Sequence, residues 1–233
     1  MKIWWALIPL GIYYIVNNTF VLLGMSLLEK AVQSLNADRE ILLIYLQTAI
    51  KMTGVALSGL AVFPFYKQER ILSETEAESK QFKLKEISGL LLLGSVLGIG
   101  FNFLFQVLGF TQSSETYKTV AESQFRVPLW LAFCFYGILS PVVEEIVFRG
   151  VIYRFFRRNT GRVAAVLGSA LLFGAIHGNI VQMVYGGIMG SIFALYYEKY
   201  GKIAVPVLLH GAANVSVYLL YYISAMWLSG IVN

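Results

Sequence analysis

The chain has 233 residues, of which 58% are hydrophobic and 13% are charged, and its formal net charge is +5. Soluble globular domains carry about 25% charged residues, so the composition excludes an ordinary soluble protein. The positive charge does not indicate nucleic acid as a partner, because Lys and Arg are concentrated in particular connecting loops. We therefore predict an all-α fold, a polytopic bundle of transmembrane helices surrounded by the lipid bilayer.

Seven apolar runs follow one another along the chain. They cover residues 3–28, 41–66, 87–110, 127–153, 163–177, 180–197 and 203–230, and most approach or exceed the roughly 20 residues that cross a bilayer. The pattern predicts seven spans, or eight if the last run breaks near Gly211. Lys2 precedes the first run as in a signal peptide, but that run is too long and shows no cleavage site, so we predict a retained span. We expect one integral membrane domain over residues 1–233, with three accessory spans in residues 1–110.

The basic residues predict the orientation of the spans. With a cytoplasmic amino terminus, twelve Lys and Arg residues fall on the cytoplasmic side and four on the other, which satisfies the positive-inside rule. The polar segment 67–86 then forms a solvated cytoplasmic loop. The cytoplasmic set is Lys2, Lys67, Arg70, Lys80, Lys83, Lys85, Arg154, Arg157, Arg158, Arg162, Lys199 and Lys202, and the opposite set is Lys30, Arg39, Lys118 and Arg126.

Several isolated features have structural explanations. Lys51 lies inside the second run, where we expect it to snorkel or to pair with a polar neighbour. Cys134 is the only cysteine, which excludes an intramolecular disulfide, and we predict that it is a small buried hydrophobe. Glycines spaced four residues apart predict close helix packing; they are Gly94 with Gly98 and Gly186 with Gly190.

The fourth apolar run contains adjacent carboxylates, Glu144 and Glu145, followed by Arg149. A charge at the bilayer centre costs roughly 2.5 to 3.5 kcal/mol even on insertion scales, so such residues face a protein interior or a water-filled cavity. Ser140 and Pro141 predict a helix that begins or kinks there, where the helix dipole favours the two anions. On that helix Glu145 and Arg149 are i and i+4 and can pair, whereas Glu144 lies about 100° away. A carboxylate without a cation is suited to act as a general base.

The only two histidines lie in later apolar runs. Phe173 and His177 are four residues apart, as are His210 and Asn214, so each pair projects from one helix face. Counting inward from the basic clusters at about 1.5 Å per residue places Glu144, His177 and Asn214 roughly 18 to 22 Å deep and His210 roughly 12 Å deep. We predict that the three segments bring their polar groups to one level.

Each of these residues has a structural alternative when it is considered alone. A membrane histidine can hydrogen-bond a neighbouring helix, and a Glu and Arg pair can brace two turns of one helix. Because five costly residues fall at compatible depths, we predict one functional site rather than unrelated structural contacts.

These motifs resemble those of the CPBP (Abi) family of intramembrane proteases, which includes the CAAX prenyl endopeptidases and bacterial bacteriocin-processing and immunity proteins. The matching residues are Glu-Glu-x-x-x-Arg at 144, 145 and 149, Phe-x-x-x-His at 173 and 177, and His-x-x-x-Asn at 210 and 214, in the family's order. The resemblance covers about residues 120–220, which we predict to form the catalytic core. The first three spans match only in being hydrophobic.

The resemblance implies a role for each residue of the three motifs. The implied roles are water activation by Glu144 and His177, oxyanion stabilisation by His210 and Asn214, and orientation of the site by Glu145 and Arg149, with Phe173 in support. The family is usually called a metalloprotease, and Glu144, His177 and His210 then supply a two-His, one-carboxylate set for zinc. A metal-free glutamate mechanism is the alternative, because either device lowers the barrier for attack by water.

The sequence thus predicts an intramembrane endopeptidase that acts near the cytoplasmic half of the bilayer, in a polar cavity between the last four helices. Its substrate is a peptide, a prenylated or otherwise lipid-associated tail, or a membrane-protein segment. Two other functions stay open: a non-catalytic bacteriocin self-immunity or scaffold protein, and a proton-coupled transporter built on buried ionisable residues. The expected location is the plasma membrane of a bacterium or archaeon, or an ER-type membrane of a eukaryote.

Overall fold

The computed structural model describes residues 4–33, 40–72 and 83–228. These residues form eight helices and no strand, which confirms the all-α prediction. The helices are α1 (Trp4–Gln33), α2 (Glu40–Leu72), α3 (Leu84–Val107), α4 (Glu115–Phe125), α5 (Leu129–Thr160), α6 (Arg162–Ala175), α7 (Ile180–Tyr200) and α8 (Ala204–Leu228).

Six of these helices are long and apolar enough to cross a membrane: α1, α2, α3, α5, α7 and α8. The integral membrane location is therefore confirmed, but the number of spans differs from the seven or eight that the apolar runs predict. The fifth run forms α6, whose 14 residues fall short of the roughly 20 that a span requires. The last run is one helix through Gly211, so the described part of the chain contains no eighth span.

Some of the predictions fall on residues that the structure leaves undescribed. Lys2, Arg39 and Lys80, which contribute to the charge bias, lie outside the described residues, as do residues 73–82 of the polar segment. The cytoplasmic amino terminus stays a prediction, and so does the division into accessory spans 1–110 and a catalytic core 120–220.

Helix α5 lies at the centre of the main core. Val147, Phe148 and Ile152 are fully buried there and pack in one cluster with Val62 of α2 and Phe173 of α6. Neighbours on both sides exclude lipid from this part of α5. This part of the interior is consequently close-packed beside the costly ionisable residues of the fourth run.

The backbone of α5 is irregular around the paired carboxylates. Two π-helical segments, Phe133–Leu139 and Ile146–Tyr153, flank the α-helical segment Ser140–Glu145. Such π segments are rare and occur frequently at functional sites. The first π segment ends five residues before Glu144 and the second begins directly after Glu145, so the irregular backbone flanks the site that the sequence predicts.

Of the two alternatives predicted at Ser140, a helix that begins there is wrong, and the backbone instead changes from π-helical to α-helical within one continuous helix. Leu139, the residue before Ser140, has helical dihedrals of −64° and −52°, so the chain is helical on both sides of Ser140 and Pro141. Ser140 does not cap a helix, and its hydroxyl instead donates a hydrogen bond to the Glu144 carboxylate. A helix dipole therefore does not account for the stability of the two anions.

The outer surface of the bundle carries large apolar side chains. Leu22 and Leu60 are each 69% exposed and Leu92 is 67% exposed, as expected for positions that face lipid acyl chains. Cys134 is also exposed. Its predicted burial is wrong, because a small thiol at a lipid-facing position needs no protein neighbours.

Close packing of α3 against α8 positions the helix that carries His210 and Asn214. Gly94 and Gly98 of α3 are buried, and a Cβ atom built on Gly98 would lie 2.7 Å from the Ala213 carbonyl oxygen. The predicted packing role of this glycine pair is therefore confirmed. A methyl group there would force apart two backbones that now touch.

We expect Gly98→Ala to lower the free energy of unfolding by about 1 to 3 kcal/mol through this overlap, and to reduce any activity that depends on Asn214. Gly100→Ala is the matched control, because Gly100 lies in the same helix with no atom within 4 Å of its added Cβ. Unfolding in detergent micelles measures both variants. Equal stability of Gly98→Ala and Gly100→Ala would contradict the proposed contact.

Candidate active site

The predicted site residues converge on one cavity of about 260 Å³ inside the bundle. Glu144 reaches it from α5, His177 from the end of α6, and both His210 and Asn214 from α8. The Phe173 ring also lines the wall. Depth counting along the separate runs predicts this convergence, and the cavity supplies the common space in which the side chains meet.

Glu144 is 9% exposed and faces the cavity. Its carboxylate accepts a hydrogen bond from the Ser140 hydroxyl one turn earlier. The imidazole Nε2 of His210 lies 3.8 Å from its second oxygen, and Arg149 of the same helix forms its ion pair with Glu145. The structure thus separates the two carboxylates as helical spacing predicts.

Glu145 and Arg149 form a fully buried ion pair. Arg149 Nη1 donates to Glu145 Oε1 over 3.0 Å, and both side chains are 0% exposed. Arg149 Nη2 donates to the Gly190 carbonyl of α7 over 2.7 Å, and its guanidinium lies 4.8 Å from the centre of the Phe173 ring. The predicted pairing is confirmed. The same arginine also ties α5 to α7.

Glu145 makes a second contact that orients His210. The His210 Nδ1 atom lies 2.9 Å from the Glu145 Oε1 atom that also accepts from Arg149. An ionised carboxylate only accepts hydrogen bonds, so this contact assigns the hydrogen to Nδ1 and turns Nε2 towards Glu144. The His210 ring stacks on Phe193, with centroids 5.1 Å apart, which fixes its plane.

His177 follows the end of α6 and is half-buried. Its Nδ1 atom lies 2.9 Å from the Phe173 carbonyl oxygen. Because that oxygen only accepts, the contact assigns the hydrogen to Nδ1 and leaves Nε2 as an acceptor. Gly178 then turns the chain with a φ of 73°, and Asn179 caps α7 by accepting from the Gln182 amide over 2.9 Å. The tight turn between α6 and α7 thus holds His177 at the cavity wall.

Asn214 is held by a contact with the main chain of α5. Its Nδ2 donates to the Tyr136 carbonyl over 3.0 Å. A side-chain amide carries two N–H groups, so one remains for a ligand in the cavity. The Tyr136 carbonyl lies in the first π-helical segment, which links the irregular backbone to the position of Asn214.

Sequence reasoning missed several residues that shape the site. Ser140 was predicted to cap a helix, but its hydroxyl donates a hydrogen bond to the Glu144 carboxylate four residues later. Phe193 and Tyr136 gave no signal, because aromatic residues in apolar helices are common and their contacts join positions far apart in the chain. The helix α4, which closes one side of the cavity through Tyr117 and Gln124, also gave none.

The predicted zinc ligands do not assemble into a metal site in the described structure. No group of three or more His, Cys, Asp or Glu side chains among the described residues has the geometry to hold a metal ion. Each predicted ligand also has a protein contact: Ser140 for Glu144, the Phe173 carbonyl for Nδ1 of His177, and Glu145 for Nδ1 of His210. Contacts of this kind at Nδ1 also accompany metal-bound histidines, and zinc binding stays a prediction.

Comparison with known proteins finds a similarity to one family in the later part of the chain. Residues 126–216 match the family model described as type II CAAX prenyl endopeptidase Rce1-like. These residues contain all three motifs on which the resemblance rests, so the predicted relationship is confirmed. No solved structure matches the chain significantly.

Several bacterial proteins are similar to the chain. The Bacillus subtilis protein named "Putative membrane peptidase YdiL" is 28% identical over 53% of this chain, and the match spans only 50% of that relative's length. The membrane-embedded CAAX protease MroQ of Staphylococcus aureus is 27% identical over 90% of this chain and 86% of its own length. The UPF0177 protein YbdI of Lactococcus lactis is 27% identical over 58% of this chain and 75% of its own.

Proposed function

We propose that this protein is a membrane-embedded endopeptidase. The match of residues 126–216 to the type II CAAX prenyl endopeptidase Rce1-like family model supports this proposal. The observation that carries the proposal is the convergence of Glu144, His177, His210 and Asn214 on one buried cavity from three helices. These groups supply a general base, an acceptor for water and two hydrogen-bonding groups for a carbonyl oxygen. The substrate is a peptide or a membrane-protein segment.

In the proposed first step, Glu144 and His177 hold the attacking water. Both present acceptor atoms, since His177 uses its Nδ1 hydrogen at the Phe173 carbonyl. Each hydrogen of the water then points to one acceptor, and an oxygen lone pair is directed at the substrate carbonyl carbon. Glu144 takes one proton as the new carbon–oxygen bond forms, and the carbonyl electrons move to its oxygen.

The developing oxyanion is stabilised from α8. Asn214 has an N–H group that its contact with Tyr136 leaves available. His210 turns Nε2 towards Glu144 while Glu145 holds Nδ1, and a proton on Nε2 provides the second donor for the oxyanion. The carbon–nitrogen bond then breaks, and Glu144 returns its proton to the leaving amine, which completes hydrolysis.

Glu145 and Arg149 act in this proposal as positioning residues. Neither lines the cavity, and both are fully buried behind it. Arg149 holds the Glu145 carboxylate in place, and Glu145 in turn holds the His210 ring by Nδ1. The arrangement follows the general pattern in which a buried carboxylate orients a histidine that faces the substrate.

The test of the proposed function is cleavage by the purified protein in liposomes. Capped neutral peptides of mixed sequence are incubated with wild type and with His177→Ala, and products are identified by mass spectrometry. We expect wild type to cleave and the variant to lose most of the activity, by about 10²-fold or more, because one acceptor for water is missing. Equal cleavage by both proteins would contradict the role of His177. No cleavage by wild type would favour a scaffold or transporter.

The same preparations test the metal. Zinc binding and the metal-free glutamate mechanism are both open, and elemental analysis of wild type and His177→Ala separates them. Near-stoichiometric zinc that disappears in His177→Ala would favour the metalloenzyme, and wild type that cleaves peptides without zinc would favour the metal-free mechanism.

A further inference from the structure

The short helix α4 has two distinct faces, and one of them forms a wall of the cavity. Tyr117, Ala121, Gln124 and Phe125 line the cavity and are spaced i, i+4, i+7 and i+8, which places them on one helix face. The charged residues of α4 are not among the cavity-lining residues; they are Glu115, Lys118 and Glu122, and the first two form an ion pair with each other at the surface. The helix therefore presents only uncharged groups to the interior.

This wall is anchored at the carboxyl end of α4. The Tyr218 hydroxyl of α8 donates to the Val127 carbonyl. The ring of Phe125 stacks on Tyr221 of α8 with centroids 3.7 Å apart and an interplanar angle of 10°. These contacts fix α4 to the same helix that carries His210 and Asn214, so α4 is a built part of the cavity.

Polar but uncharged side chains surround the cavity next to α4. Asn102 of α3 and both Gln182 and Tyr185 of α7 line it together with Tyr117 and Gln124. Burial raises the pKa of the Tyr117 phenol, and a hydrogen bond with Asn102 partly offsets this effect. The Tyr117 hydroxyl therefore stays protonated and available as a donor.

Some of these groups have hydrogen-bonding capacity to spare. Gln182 Oε1 accepts from Asn179 over 2.5 Å, whereas no described residue accepts from Gln182 Nε2. The Tyr185 hydroxyl and the Gln124 side-chain amide also form no hydrogen bond within the described structure, and all three residues line the cavity. Polar groups at a substrate cavity are satisfied by water or by a ligand. Amides and hydroxyls match the alternating N–H and C=O groups of a peptide main chain.

Almost all the residues that line the cavity are uncharged. Among the described residues that line the cavity, Glu144 is the only Asp, Glu, Lys or Arg. A charged substrate side chain next to α4 would lose water without gaining a partner of opposite sign, which is costly in a buried space. The uncharged part of the lining next to α4 therefore selects against both signs of charge.

We propose that the α4 wall, with Gln124, Gln182 and Tyr185, forms a subsite for an extended peptide segment whose side chains are uncharged. The amides and the phenol bind the main chain of the segment, and the scissile bond is delivered to Glu144. This subsite rests on the proposed endopeptidase function. It makes Ala121, at the middle of the α4 wall, the position at which an added charge should redirect selectivity.

The test measures binding separately from cleavage. Dansyl-labelled hexapeptide pools, capped at both ends, contain only Ala, Leu, Ser and Phe, or the same residues with one Asp or one Lys. Fluorescence titration measures their binding to Glu144→Gln protein in nanodiscs, and mass spectrometry measures their cleavage by wild type. We expect the neutral pool to bind about tenfold tighter than either charged pool and to be cleaved faster by a similar factor.

Variants that add a charge to α4 test the subsite directly. In the Glu144→Gln background, Ala121→Lys should weaken binding of the neutral and Lys pools and restore binding of the Asp pool. Ser123→Lys is the matched control, since Ser123 is exposed on the same helix and should leave all three affinities unchanged. Ala121→Gln adds similar bulk without charge, and melting temperatures confirm that each variant is folded.

The outcomes separate the subsite from the proposed function. Equal binding of the three pools would overturn the subsite, as would identical behaviour of Ala121→Lys and Ser123→Lys or of Ala121→Lys and Ala121→Gln. Selective binding without any cleavage by wild type would overturn the endopeptidase function and retain the subsite. Neither binding nor cleavage of any pool would overturn both.

Discussion

Replacing Glu144 with glutamine is expected to lower peptide cleavage by about 10²- to 10⁴-fold while the protein stays folded. Glutamine has nearly the same shape and can still accept the hydrogen bond from the Ser140 hydroxyl. It cannot take a proton from water, so the attack step loses its base. The measurement is the rate of product formation in liposomes, made beside a thermal unfolding curve for each protein.

A second carboxylate provides the matched control for Glu144→Gln. Glu122→Gln removes an exposed carboxylate of α4 that does not line the cavity, and we expect no change in rate or melting temperature. If Glu144→Gln cleaves as fast as wild type, another group activates the water and the proposed mechanism fails. If the melting temperature of Glu144→Gln falls sharply, Glu144 also stabilises the fold, beyond its hydrogen bond with Ser140.

Local spacing predicted the parts of the site that lie on one helix. Glu145 and Arg149 are four residues apart, and their ion pair forms even though the backbone after Glu145 is π-helical rather than α-helical. Short-range geometry tolerates such a change, because long side chains adjust. The same reasoning failed at Ser140, where a capping residue and a proline suggested a helix start but neighbouring helices support a continuous one.

Contacts between distant segments could not be predicted from the sequence. Glu145 and His210 are 65 positions apart, and no periodicity in either helix indicates that they meet. Depth counting placed Glu144 roughly 18 to 22 Å and His210 roughly 12 Å from the basic clusters, and the choice of Glu145 rather than Glu144 as the partner of Nδ1 depends on how α8 packs against α5. That packing depends on glycines such as Gly211, which lies against the Gly137 carbonyl of α5 and whose effect is visible only once the partner helix is known.

Hydropathy alone also could not predict the number of spans. The run that forms α6 is apolar because it packs against α5 and α7 and not because it crosses the bilayer on its own. Ala165 and Ala170 are almost fully buried in it, whereas Leu171 is 68% exposed. Apolar composition therefore indicates that a segment is shielded from water, but it does not distinguish shielding by protein from shielding by lipid.

The largest effect on stability is expected from breaking the buried ion pair. Arg149→Met should lower the free energy of unfolding by about 3 to 5 kcal/mol, because the fully buried Glu145 carboxylate would lose its cation. Methionine retains much of the packing volume beside Phe173 and Phe193. The lost charge, rather than a cavity, is then the main cause. Unfolding in mixed detergent micelles provides the measurement.

A double replacement and a second arginine make this prediction specific. Adding Glu145→Leu to Arg149→Met should recover part of the lost stability, because no unpaired charge then stays buried. Arg157→Met removes an ion pair with Glu198 whose arginine is 48% exposed, and it should change stability by only about 0 to 1 kcal/mol. The recovered protein should still lack activity, because His210 would have lost the carboxylate that holds Nδ1. A double variant that is less stable than Arg149→Met would mean that Glu145 is stabilised by groups other than Arg149.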